Sequence, residues 1–208
     1  MRAQPGTQVT LFDGAGKEHT ATVRQSTKKE VHLEIESTIT VTDPNTPAIT
    51  IAAALPKGER QRYLVEKLVE LGANHLIPIQ SARGVAQPTD KAIDRIRKQV
   101  IEATKQCRRA WLMQVDSPRS LNQLAAEFQS FTGNRYIADP YADQPLAGTH
   151  SSGAIVAVGP EGGFEDDEIS LLEESGWEKA TFSPNVLRIE TAATAAVAIL
   201  RSHPTGLT

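Results

Sequence analysis

AIVAVGPEGGF (Ala154–Phe164) is the stretch that decides the fold of this chain. Its first five residues are apolar and either small or β-branched, which is typical of a strand buried on both faces of a parallel sheet. Three glycines and a proline follow, and they favour a loop in which a ligand approaches bare backbone. The acidic run Glu165–Glu168 predicts the start of a helix, because negative charge is stabilised at a helix N-terminus. In open α/β sheets, small molecules bind at such strand–loop–helix junctions.

Two common nucleotide-binding loops are excluded by the spacing of the glycines. The loop lacks the Lys-Ser/Thr ending of a P-loop, and its glycines do not fit the pattern G-x-G-x-x-G. Glu161 would repel a phosphate, and its carboxylate is better suited to hydroxyls, an amine or a cation. A tight turn without any ligand is the alternative that the loop alone leaves open.

The segments around this loop alternate between strand and helix patterns, which indicates a parallel sheet. Strands are expected at 48–55, 75–79 and 136–138, and a last strand is expected to end at Thr181-Phe182. Helices are expected at 57–71, with Gly72 after the last turn, at 117–128, with Ser117 as the N-cap, at 169–175, with Gly176 after it, and at 191–200.

A helix from about Thr89 to Trp111 is the clearest amphipathic element. Its expected buried face consists of Ile93, Ile96, Val100, Ala103 and Cys107. Its opposite face is basic, and it consists of Lys91, Arg95, Lys98, Lys105 and Arg109, interrupted by Glu102. This basic face is a candidate for contact with RNA phosphates, and a solvated helix surface is the alternative.

Residues 1–43 carry short strand patterns instead. Strands are expected at 8–12, 20–24 and 31–35, and Asp13–Gly16 predicts a hairpin turn between the first two. The later two segments alternate apolar and polar residues, as half-buried strands do. We interpret this region as a small β-barrel-like module, followed by a Pro-rich linker at 42–47.

Composition and charge narrow the function classes. The 208 residues carry a net charge of −3, but residues 49–112 contain 12 Lys and Arg against 6 Asp and Glu, which points to a local anionic partner. No apolar run has membrane-spanning length and the N-terminus has no hydrophobic signal region, so we expect a cytoplasmic protein. The one cysteine, Cys107, excludes an internal disulfide, and no metal site is expected.

Two motifs in order carry a resemblance to a known family. Val158–Phe164, followed by Leu187-Arg188-Ile189-Glu190-Thr191-Ala192, resembles the ribosomal RNA small subunit methyltransferase E family. This family belongs to the SPOUT class of knotted methyltransferases. The similarity extends to Lys57, Arg60, Glu66, Lys67, Glu70, Leu71, Gly72, Ile77, Pro78, Arg83, Glu102, Ala103, Gln106 and Arg109.

The resemblance implies an α/β fold in two domains. Residues 44–208 would form a SPOUT methyltransferase domain, with a parallel sheet and a C-terminal deep trefoil knot. Residues 1–43 would form a PUA-like β-barrel for RNA binding. Family members usually begin with a further segment ending in Val-Leu-Arg, of which Arg2 alone could remain here. We therefore expect an N-terminally truncated, incomplete barrel, and the family implies a homodimer.

The resemblance also implies the reaction, which is methylation of N3 of one uridine near the 3′ end of 16S ribosomal RNA with S-adenosylmethionine. Arg188 and Glu190 would be catalytic, with Glu161 as a second candidate for accepting hydrogen bonds or the proton. The alternative is that either glutamate only fixes its loop by bonding backbone amides. The cofactor would bind Ala138, Asp139, Val158, Gly159, Pro160, Glu161, Gly162, Gly163, Val186, Leu187 and Arg188. RNA would bind Lys57, Arg60, Arg83 and the basic face of the long helix.

Two positions depart from the family pattern. Ser183 and Asn185 stand where family members commonly have glycine and arginine, so target choice or rate is expected to differ. Two other functions stay open. One is ribose 2′-O methylation by the same class of fold, and the other is a ribosome assembly factor without turnover.

Overall fold

The computed structural model describes residues 4–43, 46–84, 88–146 and 151–202. These residues form β1 Gln8–Phe12, β2 Lys17–Ser26, β3 Val31–Thr40, β4 Ile49–Ala53, α1 Glu59–Glu70, β5 His75–Gln80, α2 Asp90–Cys107, β6 Gln114–Val115, β7 Arg119–Ser120, α3 Leu121–Glu127, β8 Asn134–Ala138, β9 Ala154–Val158, α4 Asp166–Glu174, β10 Glu178–Ala180 and α5 Ile189–Ser202. They divide into two compact units. The first comprises β1 to β3 with residues 104–112, a segment that a linear boundary after residue 43 leaves out. The second comprises the remaining elements, with α2 up to Ala103.

The core of the second unit is a parallel sheet with the strand order β10-β8-β9-β4-β5-β6, in which β7 also pairs with β5. Every strand pair in it is parallel. All five residues of β4 and all five of β9 are buried. The predicted parallel α/β sheet is therefore confirmed, and Ala154–Val158 lies near its centre.

The helices of the second unit bury apolar stripes. In α1 the buried residues are Leu64, Val65, Leu68 and Val69, and Gly72 follows the helix with φ of 84°. α5 packs against α1, β4 and β9. Near its end, Arg201 donates to the carbonyl oxygens of Pro47, at 2.7 Å, and Gly72, at 2.6 Å. None of the helices in the described ranges combines the length and apolarity needed to cross a membrane.

Two expectations about α2 are wrong, because the helix ends at Cys107 rather than near Trp111. Arg108 has a φ of 56°, the left-handed conformation that stops a helix. The chain therefore leaves the helical path. Cys107 is exposed instead of lying in the core, and Arg109 is buried instead of standing on the basic face.

The third helix also begins later than expected. Arg119 and Ser120 form β7 beside Ile79 and Gln80 of β5, so the segment from Ser117 onward is extended rather than helical. The N-cap is Ser120, whose side chain accepts a hydrogen bond from the backbone of Gln123 in a capping box. Similarly, α5 begins at Ile189, two residues before the predicted start.

The first unit contains an antiparallel sheet of β1, β2 and β3. The Asp13–Gly16 turn joins β1 to β2, and Asp13 Oδ1 accepts hydrogen bonds from the amides of Ala15, at 2.7 Å, and Lys17, at 3.0 Å. Trp111 connects residues 104–112 to the end of β3, since its indole nitrogen donates to Val41 O at 3.0 Å.

The incomplete barrel expected for this region corresponds to an open sheet that is unevenly buried. Among the described residues the three strands form an open sheet, and β3 is exposed along nearly its whole length. Only β2 contributes fully buried apolar side chains, Ala21 and Val23. The strand alternation was detected correctly, but the described part of this unit has no second layer that covers β3. The predicted Arg2 motif lies outside the described residues.

Candidate active site

A cavity of about 880 Å³ lies at the carboxyl ends of β8, β9 and β10. Segments distant in sequence meet there, because the carboxyl ends of parallel strands lie at one edge of a sheet. All the residues predicted to bind the cofactor line this cavity: Ala138, Asp139, Val158, Gly159, Pro160, Glu161, Gly162, Gly163, Val186, Leu187 and Arg188. The structure brings these residues together, and their contact with a cofactor stays a prediction.

The loop after β9 has a compact backbone turn. The amide of Gly163 donates to the carbonyl of Pro160 at 2.9 Å, and the ring of Phe164 is buried beneath the loop. A Cβ atom on Gly159 would lie 3.2 Å from the Phe164 ring, closer than comfortable packing allows. Any larger residue at this position would therefore have to displace the Phe164 ring by a few tenths of an ångström.

Two arginines from other parts of the chain hold this loop in place. Arg60 of α1 forms an ion pair with Glu161 at 2.9 Å. Arg83 donates to the carbonyl oxygen of Gly162 at 2.7 Å and lies 3.5 Å from Glu165. Exposed ion pairs contribute little to stability, on the order of 0–1 kcal/mol. These contacts instead fix the position of the loop after β9. They also occupy both arginines that were predicted to contact RNA.

The loop between β10 and α5 forms the opposite wall. Thr181 accepts from the Leu146 amide at 2.8 Å and donates through its hydroxyl to Ser183 O at 3.0 Å. The Ser183 hydroxyl in turn accepts from the Asn185 amide at 3.1 Å. The two residues that depart from the family pattern therefore bond each other across the turn, and both line the cavity. A serine side chain supplies a bond here that glycine lacks.

Arg188 and Glu190, the predicted catalytic residues, lie at the start of α5 in different environments. Arg188 is exposed and lines the cavity, and no hydrogen bond or ion pair of its side chain occurs within the described ranges. The Glu190 side chain is only 6% exposed, and its Oε2 atom has no hydrogen-bond partner among the described residues. A buried carboxylate oxygen without a donor costs about 1–3 kcal/mol, which makes Glu190 a candidate for a functional role.

The remaining basic residues fall into two groups. Lys57, Lys91, Arg95, Lys98 and Lys105 are exposed, so they remain candidates for phosphate contact. Arg109 is buried, and burial lowers the pKa of its guanidinium, partly offset by the charge of Asp43. Contact of Arg109 with RNA is therefore excluded by its position.

Some cavity residues were missed by the sequence reasoning. Tyr141 is 84% exposed and lines the cavity, where its amide donates to Asp139 Oδ1 at 2.8 Å. The signal that could have found it is its position after Asp139-Pro140, a turn directly following β8. Lys179 lines the cavity as well and forms an ion pair with Glu173 at 3.1 Å, which raises the pKa of the lysine. Neither residue belongs to a motif.

The parallel sheet and the cavity at its carboxyl edge define an α/β protein with a formed small-molecule site. A family model described as RNA methyltransferase domain matches residues 43–201, and a second, described as RNA methyltransferase PUA domain, matches residues 1–36. The chain therefore belongs to the RNA methyltransferases, and a relative that is 30% identical and matched over 78% of its own length shows that its family is the ribosomal RNA small subunit methyltransferase E family.

Relatives and solved structures agree with this assignment. The ribosomal RNA small subunit methyltransferase E of Mycobacterium bovis is 30% identical over 206 residues, which cover 94% of this chain and 78% of the relative. The enzyme of that name from Neisseria gonorrhoeae, solved with S-adenosylmethionine, is 28% identical with a TM-score of 0.83, covering 96% of this chain and 84% of the other. A methyltransferase from Legionella pneumophila, also solved with this cofactor, is 30% identical with a TM-score of 0.82 and the same coverage.

Proposed function

We propose that this protein transfers a methyl group from S-adenosylmethionine to N3 of a uridine in 16S ribosomal RNA. The observation that carries the proposal is that the loops after β9 and β10 line one cavity, with Arg188 at its edge. The names of the relatives support the small-subunit RNA, and the two cofactor-bound neighbours support the methyl donor. The choice of N3 rests on the family resemblance.

The residues of the cavity fit the proposed cofactor. The volume of the cavity, about 880 Å³, lies within the range of about 300–1,000 Å³ that is usual for ligand sites. Val186 and Leu187, which are at least partly exposed, offer apolar surface for an adenine ring. A Cβ placed on Gly163 would meet nothing within 4 Å, so backbone is open to the cavity there. The carboxylate of Asp139 complements a positive charge. When bound, the cofactor supplies a methyl group on a cationic sulfur.

Arg188 and Glu190 have complementary roles in this proposal. N3 of neutral uracil carries a proton, which must leave before the nitrogen can react. Glu190, the carboxylate at the start of α5, accepts that proton. Arg188 stabilises the negative charge that develops on the uracil carbonyl oxygens, an electrostatic contribution that increases in the transition state. Glu161 is less suited to the proton transfer, because it is paired with Arg60.

The proposal also includes the domain boundaries, the knot, the oligomeric state and the residues that contact RNA. We assign residues 1–43 to a PUA-like RNA-binding domain and residues 44–208 to the methyltransferase domain, with a trefoil knot formed by the second loop and α5. The protein acts as a homodimer. The exposed basic residues Lys57, Lys91, Arg95, Lys98 and Lys105 contact phosphates. Sedimentation of the purified protein tests the dimer.

The reaction is tested with small ribosomal subunits from a strain that lacks this modification. The purified protein and methyl-labelled S-adenosylmethionine are added, and the RNA is digested to nucleosides for mass spectrometry. N3-methyluridine is the expected product. A 2′-O-methylated nucleoside would instead show that the acceptor is a ribose hydroxyl. Cofactor binding without any methyl transfer would indicate an assembly factor without turnover.

Arg188→Ala tests the electrostatic role. Removing a donor that stabilises developing charge lowers turnover on the order of 10²–10³-fold. The dissociation constant for S-adenosylmethionine, measured by calorimetry, is expected to change much less. Arg119→Ala is the matched control, because Arg119 lies in β7, away from the cavity, and is paired with Glu127 at 3.1 Å. Equal loss of turnover and cofactor affinity in the Arg188 variant would contradict the assigned role.

A further inference from the structure

The turn that follows β5 is hydrogen-bonded to the segment that follows β9. The Ala82 amide donates to Glu168 Oε1 at 2.8 Å, and the Arg83 guanidinium donates to the Gly162 carbonyl oxygen at 2.7 Å. One contact runs from backbone to side chain and the other from side chain to backbone, so two adjacent residues hold both ends of the segment 162–168. We call these two contacts the 82–83 bridge.

Glu168 connects this turn to the start of α4. Its Oε2 atom accepts from the amide of Glu165, the N-cap residue, at 2.9 Å, while its Oε1 atom accepts from Ala82. The sequence alone gave the acidic run at 165–168 a role in starting the helix, and the structure adds a contact 86 positions away. Glu168 does not line the cavity, so any effect that it has on a ligand there passes through other residues.

Arg83 restrains the peptide group between two glycines. The carbonyl of Gly162 and the amide of Gly163 belong to one planar peptide unit. Arg83 binds the carbonyl, and the Gly163 amide donates to Pro160 O at 2.9 Å, so both polar ends of this unit are held. Without such contacts a Gly-Gly pair has more backbone conformations open to it than any other pair of residues. The stem of Arg83 also covers Gly162, where a Cβ atom would lie 3.2 Å from the Arg83 Cδ atom.

The restrained peptide unit is part of the cofactor cavity. Arg83, Gly162 and Gly163 line the cavity, and a Cβ atom on Gly163 would meet nothing within 4 Å, so this stretch of backbone is open to a ligand. A site whose backbone is already oriented loses less conformational entropy when a ligand binds. The 82–83 bridge is therefore expected to raise the affinity for the cofactor, although neither of its side chains needs to touch the reacting atoms.

We propose that Arg83 and Glu168 are positioning residues, which hold the Gly162-Gly163 peptide in the orientation that receives S-adenosylmethionine. The inference rests on the proposed function, and it moves Arg83 from the predicted RNA contacts to the support of the loop after β9. A contact with RNA and a contact with this loop predict losses of affinity for different ligands, so binding measurements separate the two roles.

Calorimetry on the full-length protein tests the role of Arg83. Arg83→Ala is expected to raise the dissociation constant for S-adenosylmethionine on the order of tenfold, because a charge-assisted hydrogen bond to the loop is lost. The affinity for small ribosomal subunits that lack the modification, measured by filter binding without cofactor, is expected to stay within about twofold. Arg83→Lys is expected to recover most of the cofactor affinity, since one carbonyl needs only one cationic donor. Lost affinity for the subunits with unchanged cofactor affinity would overturn the proposal.

Arg119→Ala is the matched control for Arg83→Ala. Arg119 likewise donates to a backbone carbonyl, Ser117 O at 3.1 Å, and is paired with Glu127 at 3.1 Å, but it does not line the cavity. We expect wild-type cofactor affinity in this variant, and similar melting temperatures for the two variants without cofactor. An equal loss of cofactor affinity in both variants would show a general loss of stability and refute the positioning role.

Glu168→Ala tests the other half of the 82–83 bridge. It removes the acceptor for Ala82 and is expected to raise the dissociation constant for S-adenosylmethionine. Its effect and that of Arg83→Ala are expected to add incompletely in the double variant, because both residues hold the same turn. Asp167→Ala is the control, since it removes a carboxylate from the same turn of α4 and keeps the bridge. Equal losses of cofactor affinity in the Asp167 and Glu168 variants would mean that charge at the helix start matters and that Glu168 is not a positioning residue.

The two proposals fail in different ways, because the binding measurements do not depend on turnover. Equal affinity of the wild type and Arg83→Ala for S-adenosylmethionine would contradict the positioning role and leave the proposed methylation standing. A wild type that loses cofactor affinity on Arg83→Ala substitution but transfers no methyl group to RNA would contradict the proposed reaction and leave the positioning role standing.

Discussion

β9 and β3 are both rich in β-branched residues, yet they have opposite environments. β9 pairs with β4 and β8 and is buried throughout. β3 pairs with β2 alone, and its Val31, Ile35 and Ile39 are 49%, 56% and 57% exposed. Residue type thus identifies a strand, whereas neighbouring strands and covering helices decide whether it forms a core. The second unit is stabilised by packing, and the first depends more on turns and cross-strand bonds.

The largest expected effect comes from removing side-chain volume in β9. Ile155 is fully buried, so Ile155→Ala loses hydrophobic burial and leaves a cavity. The expected loss in the free energy of unfolding is about 2–5 kcal/mol. Urea unfolding followed by Trp177 fluorescence in a Trp111→Phe background measures it, because Trp177 lies in the second unit and Trp111 in the first. A loss below about 1 kcal/mol would show that β9 is not the packed centre.

The sequence predicted this part of the fold because its signals are local. A continuous apolar run, a Gly-rich loop and an acidic helix start all lie within residues 154–168, and the structure contains the strand, the loop and the helix there. The end of α2 could not be predicted in the same way. Nothing in the residue types at 107–109 announces that Arg108 adopts a left-handed conformation, which exposes Cys107 and buries Arg109.

The candidate site likewise has one part that local sequence patterns predict and another part that they do not. Its loops were predicted from motifs, but the side chains that hold or extend them come from distant segments. Arg60 reaches Glu161, and Arg83 reaches Gly162, across about 100 and 79 positions of sequence. Patterns in a single sequence contain no information about such pairs, because the order of strands in the sheet decides which distant residues meet.

A smaller effect is expected at the turn between β1 and β2. The backbone amides of Ala15 and Lys17 lower the pKa of Asp13 below its usual value of about 3.9. A lowered folded-state pKa adds stability above the unfolded pKa, and this stability is lost as pH falls through the folded value. Asp13→Asn keeps an acceptor but loses the charge. Its melting temperature is therefore expected to lie below that of the wild type at pH 6 and to converge with it once the pH falls below the lowered pKa of Asp13.

Trp111 fluorescence in a Trp177→Phe background measures this difference in the first unit. Asp13→Ala is the control, since it loses both the charge and the acceptor and should remain less stable than the wild type at every pH. A gap between Asp13→Asn and the wild type that is independent of pH would contradict the role assigned to the carboxylate charge.

The smallest effect is expected on the outer face of β3. Ile35 lies opposite Ala21 of β2 and is more than half exposed, so Ile35→Thr removes little burial and keeps a β-branched side chain. The expected change in the free energy of unfolding is within about 0.5 kcal/mol, well below the loss of about 2–5 kcal/mol expected for Ile155→Ala. Urea unfolding followed by Trp111 measures it. A loss above about 1 kcal/mol that grows with protein concentration would mean that another chain covers β3 in solution. Replacing an apolar side chain costs this much free energy only where the side chain is buried.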